Sequence, residues 1–216
     1  MVIFSDLSEV FCHGIYGMEE AATSLYSKDI GETLWRSHEA LNGKVLELFR
    51  KEFSEDHYWE EVLLSSGLPM SLSEAKNVLT ENIRRVIPGT LDVYKSITAH
   101  PKSLGSSEML DGRPDIYIVS DHIAERIEQL KTIHPDIFGI VKGCFWSCDL
   151  GYIKQDAEFF PKVLAATQIP IEEIVFVDDI EQNAESARRH GIYSIVFYDA
   201  MQLKQELSKI GFRFAE

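Results

Sequence analysis

The sequence predicts an α/β fold, a Rossmann-like parallel sheet flanked by helices, with an α-helical cap domain inserted after the first strand. Three observations predict it. The chain contains short apolar runs, which are typical of buried strands. Helical patterns of ten or more residues separate the later apolar runs, and a helix-rich stretch follows the first apolar run. The predicted core therefore comprises residues 1–13 and 87–216, and the predicted cap comprises residues 14–86.

Four segments are predicted to be strands because each is short, apolar and followed by a polar turn. They are residues 2–5, 116–120, 174–177 and 194–198. In parallel sheets of this kind, ligands bind beyond the carboxyl ends of the strands. We therefore expect one crevice to collect the polar residues at those ends, which are Asp6, Ser120, Asp178 and Asp179.

Residues 14–86 show helical periodicity and no convincing strand, which predicts the helical insert. Ile87, Pro88 and Gly89 mark the return to the core, because proline and glycine break a helix before a new one begins at residues 91–97. Residues 101–115 contain scattered Ser, Gly and Pro and are predicted to form a long surface loop.

Composition limits the possible partners. The 216 residues carry a formal charge of −14, which disfavours binding to a nucleic-acid backbone. No apolar run reaches the roughly 20 residues of a membrane span, and the N-terminus lacks a signal-peptide pattern. The chain has three cysteines, an odd number, so we expect reduced thiols in a soluble cytoplasmic protein. We expect the protein to be a monomer or a homodimer.

Paired acids at a strand end indicate a cation site. Asp178 and Asp179 end the third predicted strand, and adjacent carboxylates repel each other unless a cation or proton lies between them. Oxygen ligands of this kind suit Mg²⁺. In the alternative interpretation, Asp179 caps the following helix and Asp178 is solvated. Lys154 precedes the pair by some twenty residues, at a place from which its charge can enter the same crevice.

Four spaced motifs follow one another along the chain: Asp6-Leu7-Ser8-Glu9-Val10, Ser120, Lys154, and Asp178-Asp179 with Asn183. Together they resemble the motifs of the haloacid dehalogenase (HAD)-like hydrolase superfamily, in its subgroup with a helical cap. Within that subgroup, the sequence is similar to the glucose-1-phosphate phosphatases and to the phosphatase domain of soluble epoxide hydrolase. Residues 49–59 resemble the cap signature of these proteins.

The resemblance implies a Mg²⁺-dependent phosphatase that acts on a small phosphorylated metabolite. Asp6 would be the nucleophile, and Lys154 would balance its charge against that of the phosphoryl group. Ser120, Asp121 and Lys154 would bind the substrate. The implied metal ligands are Asp6, the Ser8 carbonyl, Asp178 and Asp179, and Asn183 would support their loop.

Three residues depart from the family pattern. Ser8 stands where most family phosphatases have a second aspartate, which protonates the leaving group and later activates water. General acid–base assistance of this kind is worth roughly 10²- to 10⁴-fold. Asp121 often is Asn in the family, and Gln155 usually is Pro. Relatives with glycine in place of Ser8 are phosphatases, so the pattern still predicts catalysis.

Three other functions stay open. A metal-free dehalogenase attacks through the same aspartate, but the paired acids would then lack a compensating charge. An enzyme acting on prenyl diphosphates would need no protonating aspartate, and a non-catalytic binding or regulatory protein could keep the fold.

The insert offers candidate substrate contacts, each more often a surface or packing residue: His13, Arg36, His38, Lys51, His57 and Trp59.

Overall fold

The structure is a computed structural model that describes residues 1–99 and 113–215. Five strands form a parallel sheet in the order β4-β3-β1-β5-β6, and β2 pairs with β7 in a separate antiparallel ribbon. The strands are β1 (Val2–Ser5), β2 (Ile97–Ala99), β3 (Ile116–Ser120), β4 (Gly143–Trp146), β5 (Ile174–Asp178), β6 (Tyr193–Val196) and β7 (Arg213–Phe214). The predicted α/β class is confirmed.

The insert between β1 and the rest of the core is helical among its described residues. Serine side chains cap three of its helices, and Gly67 ends one in the left-handed conformation at φ 63°. After a 3-10 turn at Ile15–Gly17, the helices are α1 (Met18–Leu25), α2 (Lys28–Ala40), α3 (Asn42–Phe49), α4 (Glu55–Ser66) and α5 (Leu72–Ile83). The division into two domains at residues 14–86 stays a prediction.

The core helices cover the sheet. Ala184 and Ala187 are fully buried on α11, so this helix lies close to the sheet, as its small residues predict. The core helices are α6 (Thr90–Ser96), α7 (Ile127–Ile133), α8 (Pro135–Phe138), α9 (Ser147–Leu150), α10 (Phe159–Thr167), α11 (Glu181–Arg189) and α12 (Ala200–Lys209).

Both faces of the sheet are buried. Ile3 packs into one hydrophobic cluster and Phe4 into the other, since successive side chains of a strand point to opposite faces. Neither residue is exposed to solvent. The apolar strands therefore form the middle layer of a sandwich of helices.

The sequence interpretation needs correction at the edges of the sheet. Strand β4 was not predicted, and the last predicted strand begins one residue earlier and ends two residues earlier, as β6. The ribbon of β2 and β7 was also not predicted. Most of the predicted surface loop at 101–115 lies outside the described residues.

Hydrogen bonds and ion pairs join the insert to the core. Arg50, just after α3, binds both carboxylate oxygens of Asp156 at 2.8 and 2.7 Å. The buried Arg126 guanidinium binds Glu55 of α4. These contacts hold the insert over the carboxyl ends of the strands. Among the described residues, no helix is long and apolar enough to cross a membrane.

Candidate active site

The predicted crevice forms at the carboxyl end of the sheet. Strand β1 lies between β3 and β5, in register with both. Asp6 follows β1 directly, and its backbone N–H donates to the Val177 carbonyl at 2.8 Å. Asp6 is 4% exposed. The pairing therefore places this carboxylate beside the last residues of β3 and β5.

Lys154 is the central cation of the site. Its side chain is 1% exposed, and Nζ lies 2.8 Å from Asp6 Oδ2 and 2.6 Å from Asp178 Oδ2. Burial alone would lower the pKa of Lys154, but the carboxylates of Asp178, Asp6 and Asp121 outweigh it and raise that pKa. Lys154 is therefore charged at neutral pH and compensates two buried carboxylates.

Asp178 is held by three donors. Its Oδ1 atom accepts hydrogen bonds from the Ile180 N–H at 2.9 Å and from Asn183 Nδ2 at 3.0 Å, while Oδ2 binds Lys154. Asn183 Oδ1 in turn accepts from Gln155 Nε2 at 3.2 Å. Asn183 thus joins the end of β5 to the Lys154 loop, and Gln155 takes part in that link.

Three carboxylates meet closely enough to share a cation. One oxygen each of Asp6, Asp178 and Asp179 lies within 4.8 Å of the others. Burial, followed by the charge of Asp6, raises the pKa of both Asp178 and Asp179. The cluster therefore has more negative charge than Lys154 balances, and its hard oxygen donors fit Mg²⁺. The alternative of a solvated Asp178 is wrong, because that residue is fully buried.

Glu9, three residues after Asp6, stabilises the loop that follows Asp6. Glu9 adopts a left-handed φ of 57°, and its carboxylate accepts from the Gly14 N–H at 2.8 Å and lies 2.9 Å from His13 Nδ1. Gly14 has no room for a side chain, because a Cβ there would lie 2.7 Å from Ser8 Cβ. The Ser8 side chain is therefore packed against this glycine.

Ser120 and Asp121 take different places at the end of β3. Ser120 Oγ is buried and has no hydrogen-bond partner among the described residues, an exception that calls for a partner absent from the structure. Asp121 Oδ1 accepts from the Lys154 backbone N–H at 3.0 Å. Burial raises the pKa of Asp121 to about 7. Asp121 thus positions the Lys154 loop, a contact that the motif alone did not indicate.

A cavity of about 50 Å³ opens in front of these groups. This volume is several times the roughly 10–15 Å³ that one water needs. Ser120 and Asp178 do not line it. Core residues and residues near β1 supply its polar wall, and the insert supplies an apolar wall. The lining residues are Asp6, Ser8, Glu9, Gly14, Ile15, Tyr16, Leu46, Phe49, Leu79, Ile83, Asp121, His122, Ile123, Lys154, Gln155, Asp179, Ile180 and Asn183.

His122 is a lining residue that the sequence interpretation missed. Its Nδ1 atom accepts a hydrogen bond from the Ile123 N–H at 2.9 Å, so the proton of the neutral ring is on Nε2. Burial lowers the pKa of His122 to about 4. His122 therefore adds a neutral donor to the site, and its position directly after Ser120-Asp121 was the only sequence signal for it.

The six candidate substrate contacts, His13 and five residues of the insert, do not line the cavity. His38 is buried against the Tyr58 hydroxyl, and Trp59 Nε1 donates to Glu55 Oε1 at 2.9 Å. Arg36 pairs with Glu32 on the protein surface. The interpretation of these side chains as packing or surface residues fits their positions. Tyr16 lines the cavity instead, and burial followed by the charge of Asp121 raises its pKa.

Sequence comparison gives partial matches. No protein-family model matches the chain. Drimenol cyclase drtB from Aspergillus calidoustus is 38% identical over 66 residues, and Bifunctional epoxide hydrolase 2 from Rattus norvegicus is 34% identical over 71 residues. These matches cover 31% and 32% of this chain but only 12% and 13% of the relatives' own lengths.

Comparison with solved structures covers almost the whole chain. HAD family enzyme bt-2542 from Bacteroides thetaiotaomicron, in complex with magnesium and inorganic phosphate, has a TM-score of 0.65 at 16% identity, covering 91% of this chain and 93% of that one. The L-2-haloacid dehalogenase from Xanthobacter autotrophicus has a TM-score of 0.63 at 12% identity, covering 96% and 83%. The four spaced motifs and the arrangement of the sheet agree with these likenesses: this chain has the fold of the haloacid dehalogenase family of enzymes.

Proposed function

We propose that the protein is a Mg²⁺-dependent phosphatase that hydrolyses a small phosphorylated metabolite through a phosphorylated Asp6. One observation carries the proposal: Lys154 Nζ bridges Asp6 and Asp178 at 2.8 and 2.6 Å beside a cluster of three carboxylates. A phosphoryl group is anionic, so a carboxylate can approach it only where cations offset the repulsion. The magnesium and phosphate bound by a structural neighbour agree with this chemistry.

Each site residue has a proposed task. Asp6, Asp179 and the Ser8 carbonyl hold Mg²⁺, which supplies positive charge to the phosphoryl oxygens, and Asp178 supports them. Lys154 neutralises Asp6 and the phosphoryl group, and the unpartnered Ser120 hydroxyl donates to a phosphoryl oxygen. Asn183 fixes Asp178. Residues 14–86 act as a cap that excludes water.

The proposed reaction has two steps. An Asp6 oxygen attacks phosphorus, the bond from phosphorus to the leaving oxygen breaks, and that oxygen takes up a proton. Water then attacks the phosphorus of phospho-Asp6, which releases inorganic phosphate and restores the carboxylate. Because Ser8 has no acidic group, the proton for the leaving oxygen comes from water or from another donor at the cavity.

The decisive variant is Asp6→Asn, which keeps the side-chain shape but removes the nucleophilic carboxylate. We expect wild-type protein with Mg²⁺ to hydrolyse phosphomonoesters and Asp6→Asn protein to lose that turnover while it unfolds cooperatively. Phosphate release is the measurement, and Asp149→Asn, at an exposed position of α9, is the matched control. Turnover by Asp6→Asn protein at the wild-type rate would contradict the assignment.

Two further outcomes separate this proposal from its alternatives. Release of halide from haloacids with undiminished activity in chelator would favour a metal-free dehalogenase, a function suggested by the dehalogenases among the structural neighbours. Tight Mg²⁺ binding without turnover of any phosphate ester would favour a binding or regulatory protein.

A further inference from the structure

The part of the cavity wall that the insert supplies is mainly apolar, with Tyr16 as its polar side chain. The apolar roof, as we call it, comes from three separate parts of the insert and lines the same cavity as Asp6 and Lys154. Leu79 and Ile83 are 2% and 1% exposed, so their side chains are fixed by packing. The roof consists of Ile15, Leu46, Phe49, Leu79 and Ile83.

Core side chains occupy backbone acceptors of the roof. Ser147 Oγ donates to the Phe49 carbonyl at 2.7 Å, and the Ile83 carbonyl lies 2.5 Å from His134 Nε2. The same Ser147 hydroxyl accepts from the His122 N–H at 3.0 Å. These two carbonyls are therefore already satisfied, and apart from the Tyr16 hydroxyl the insert offers a bound molecule mainly hydrocarbon surface.

Most of the charged residues that line the cavity are negative. Among its described lining residues, Lys154 is the only one with a permanent positive charge, and it is already paired with Asp6 and Asp178. Glu9, Asp121 and Asp179 add carboxylates. A bound Mg²⁺ can offset the charge of one phosphoryl group at the wall, but a second anionic group near the roof would find no cation there.

We infer that the phosphoryl group is carried on an apolar, uncharged organic group, which lies against the roof and leaves as an alcohol or phenol. This inference rests on the proposed phosphatase function and names its substrate class. A sugar hydroxyl buried against the roof would lose its water partners without replacement, which is costly. Apolar surface gains free energy on the same contact.

Para-substituted phenyl phosphates test the inference, because their leaving groups have similar acidity and differ only at the far end. We expect kcat/KM with Mg²⁺ to rise from methyl to ethyl to propyl substituents, by roughly two- to fourfold for each buried methylene. We expect the hydroxyethyl and carboxymethyl compounds to be poorer than the propyl compound by roughly tenfold or more.

Leu46→Asn tests the roof directly. Leu46 is only partly buried, so the variant leaves the core of the insert intact. It should reduce the preference for propyl over hydroxyethyl to near unity. Leu64→Asn is the control, because Leu64 is 86% exposed and does not line the cavity, and it should keep the wild-type preference. An unchanged preference in Leu46→Asn would overturn the role of the roof.

Binding of benzylphosphonates separates this inference from the proposed function, since these analogues cannot be hydrolysed. Calorimetry in Mg²⁺ should show tighter binding of the para-propyl than of the para-hydroxyethyl analogue. With that preference but no phosphatase activity, the phosphatase proposal fails and the ligand class stands. Turnover without that preference, or faster turnover of sugar phosphates than of the propyl compound, overturns the inference and leaves the phosphatase proposal in place.

Discussion

Lys154 connects the groups of the candidate site through one buried ammonium. It balances Asp6 and Asp178, while its backbone N–H binds Asp121. Removing one partner of a buried ion pair costs roughly 3–5 kcal/mol, because the other charge stays uncompensated. The lysine therefore holds the two carboxylates in place, and in the proposed reaction it also offsets the charge of the phosphoryl group.

The two acids after β5 are expected to contribute unequally to metal binding. Asp179 lines the cavity, whereas the Asp178 oxygens are taken by Lys154, Ile180 and Asn183. We expect Asp178→Asn to weaken Mg²⁺ binding by roughly 10- to 100-fold, as for supporting residues, and Asp179→Asn to weaken it further. Calorimetric Mg²⁺ titration measures both, with Asp149→Asn as a control that keeps wild-type affinity. Equal losses of Mg²⁺ affinity would contradict the division into a metal ligand, Asp179, and a supporting residue, Asp178.

Ser8 should determine which leaving groups the protein tolerates. Without an acid there, substrates with acidic leaving groups should react much faster than simple alkyl phosphates. Because Ser8 lines the cavity, Ser8→Asp places a carboxyl at its edge and should speed the poor leaving groups by up to roughly 10²-fold.

The dependence of rate on leaving-group pKa measures this effect for the wild type, Ser8→Asp and the non-acidic control Ser8→Asn. Only Ser8→Asp should flatten the dependence. A flat dependence in the wild type would mean that another group already donates the proton, and Tyr16 and His122 are two donors among the residues that line the cavity.

At the scale of elements, the pair of Arg50 and Asp156 joins the end of α3 to the loop of Lys154. Asp156 Oδ2 also accepts from the Ile153 N–H at 2.9 Å, so the pair orders the residue before Lys154. We expect Arg50→Gln to lower the free energy of unfolding by about 1 kcal/mol and to reduce kcat/KM several-fold.

Chemical denaturation and steady-state kinetics check this expectation. Arg36→Gln is the matched control, because Arg36 is 71% exposed and pairs with Glu32 on the same helix. That surface pair should contribute roughly 0.5 kcal/mol or less. If both variants lose the same stability and neither loses activity, the contact between insert and core does not order the site.

The strands that carry the site could be predicted, while the edge strands could not. The strands β1, β3 and β5 are short runs rich in Val, Ile and Phe and lie in the middle of the sheet, where continuous apolar sequence is required. In contrast, β4 has the sequence GCFW, begins with glycine and is mostly only partly buried. The first residue of β6, Tyr193, is exposed, so the apolar pattern did not reveal where this strand begins. Edge strands need less apolar sequence, so their signal is weaker.

The same contrast applies to the site. Asp6, Lys154 and the paired acids could be placed from the sequence, because strand ends of a parallel sheet converge and charges there require partners. Leu46, Phe49 and Leu79 could not, since their spacing fits any amphipathic helix. Tertiary packing alone decides which of these side chains contact the core and which face the cavity.

At the scale of the whole molecule, the excess of buried acid predicts a pH-dependent stability. Burial raises the pKa of Asp121 to about 7, so the native state keeps a proton that the unfolded chain has lost. Stability then falls as the pH rises through that value. Burial lowers the pKa of His38 and His122 to about 4, which gives the opposite slope, but only below about pH 6.5.

We therefore expect the melting temperature in chelator to fall between about pH 6.5 and 7.5, and Mg²⁺ to restore it by offsetting the carboxylates. Thermal unfolding with and without Mg²⁺ measures this. Asp121→Asn should reduce the slope, with the remainder coming from Asp179, whose pKa is also raised by burial, whereas Asp149→Asn, at an exposed position, should keep the full slope. A stability in chelator that rises with pH across this window contradicts the expected excess of buried negative charge.

The central place of β1 in the sheet has a consequence for how the protein is made. Its partner strands begin at Ile116 and Ile174, so its second neighbour is synthesised about 170 residues later. At roughly 5–20 residues per second, this apolar strand waits on the order of 10–30 s on the ribosome without that neighbour. During this time β1 is a site for misassociation, and Asp6 lacks the carboxylates that β5 brings beside it. The carboxylate cluster of Asp6, Asp178 and Asp179 therefore forms only after β5 has been synthesised and has paired with β1.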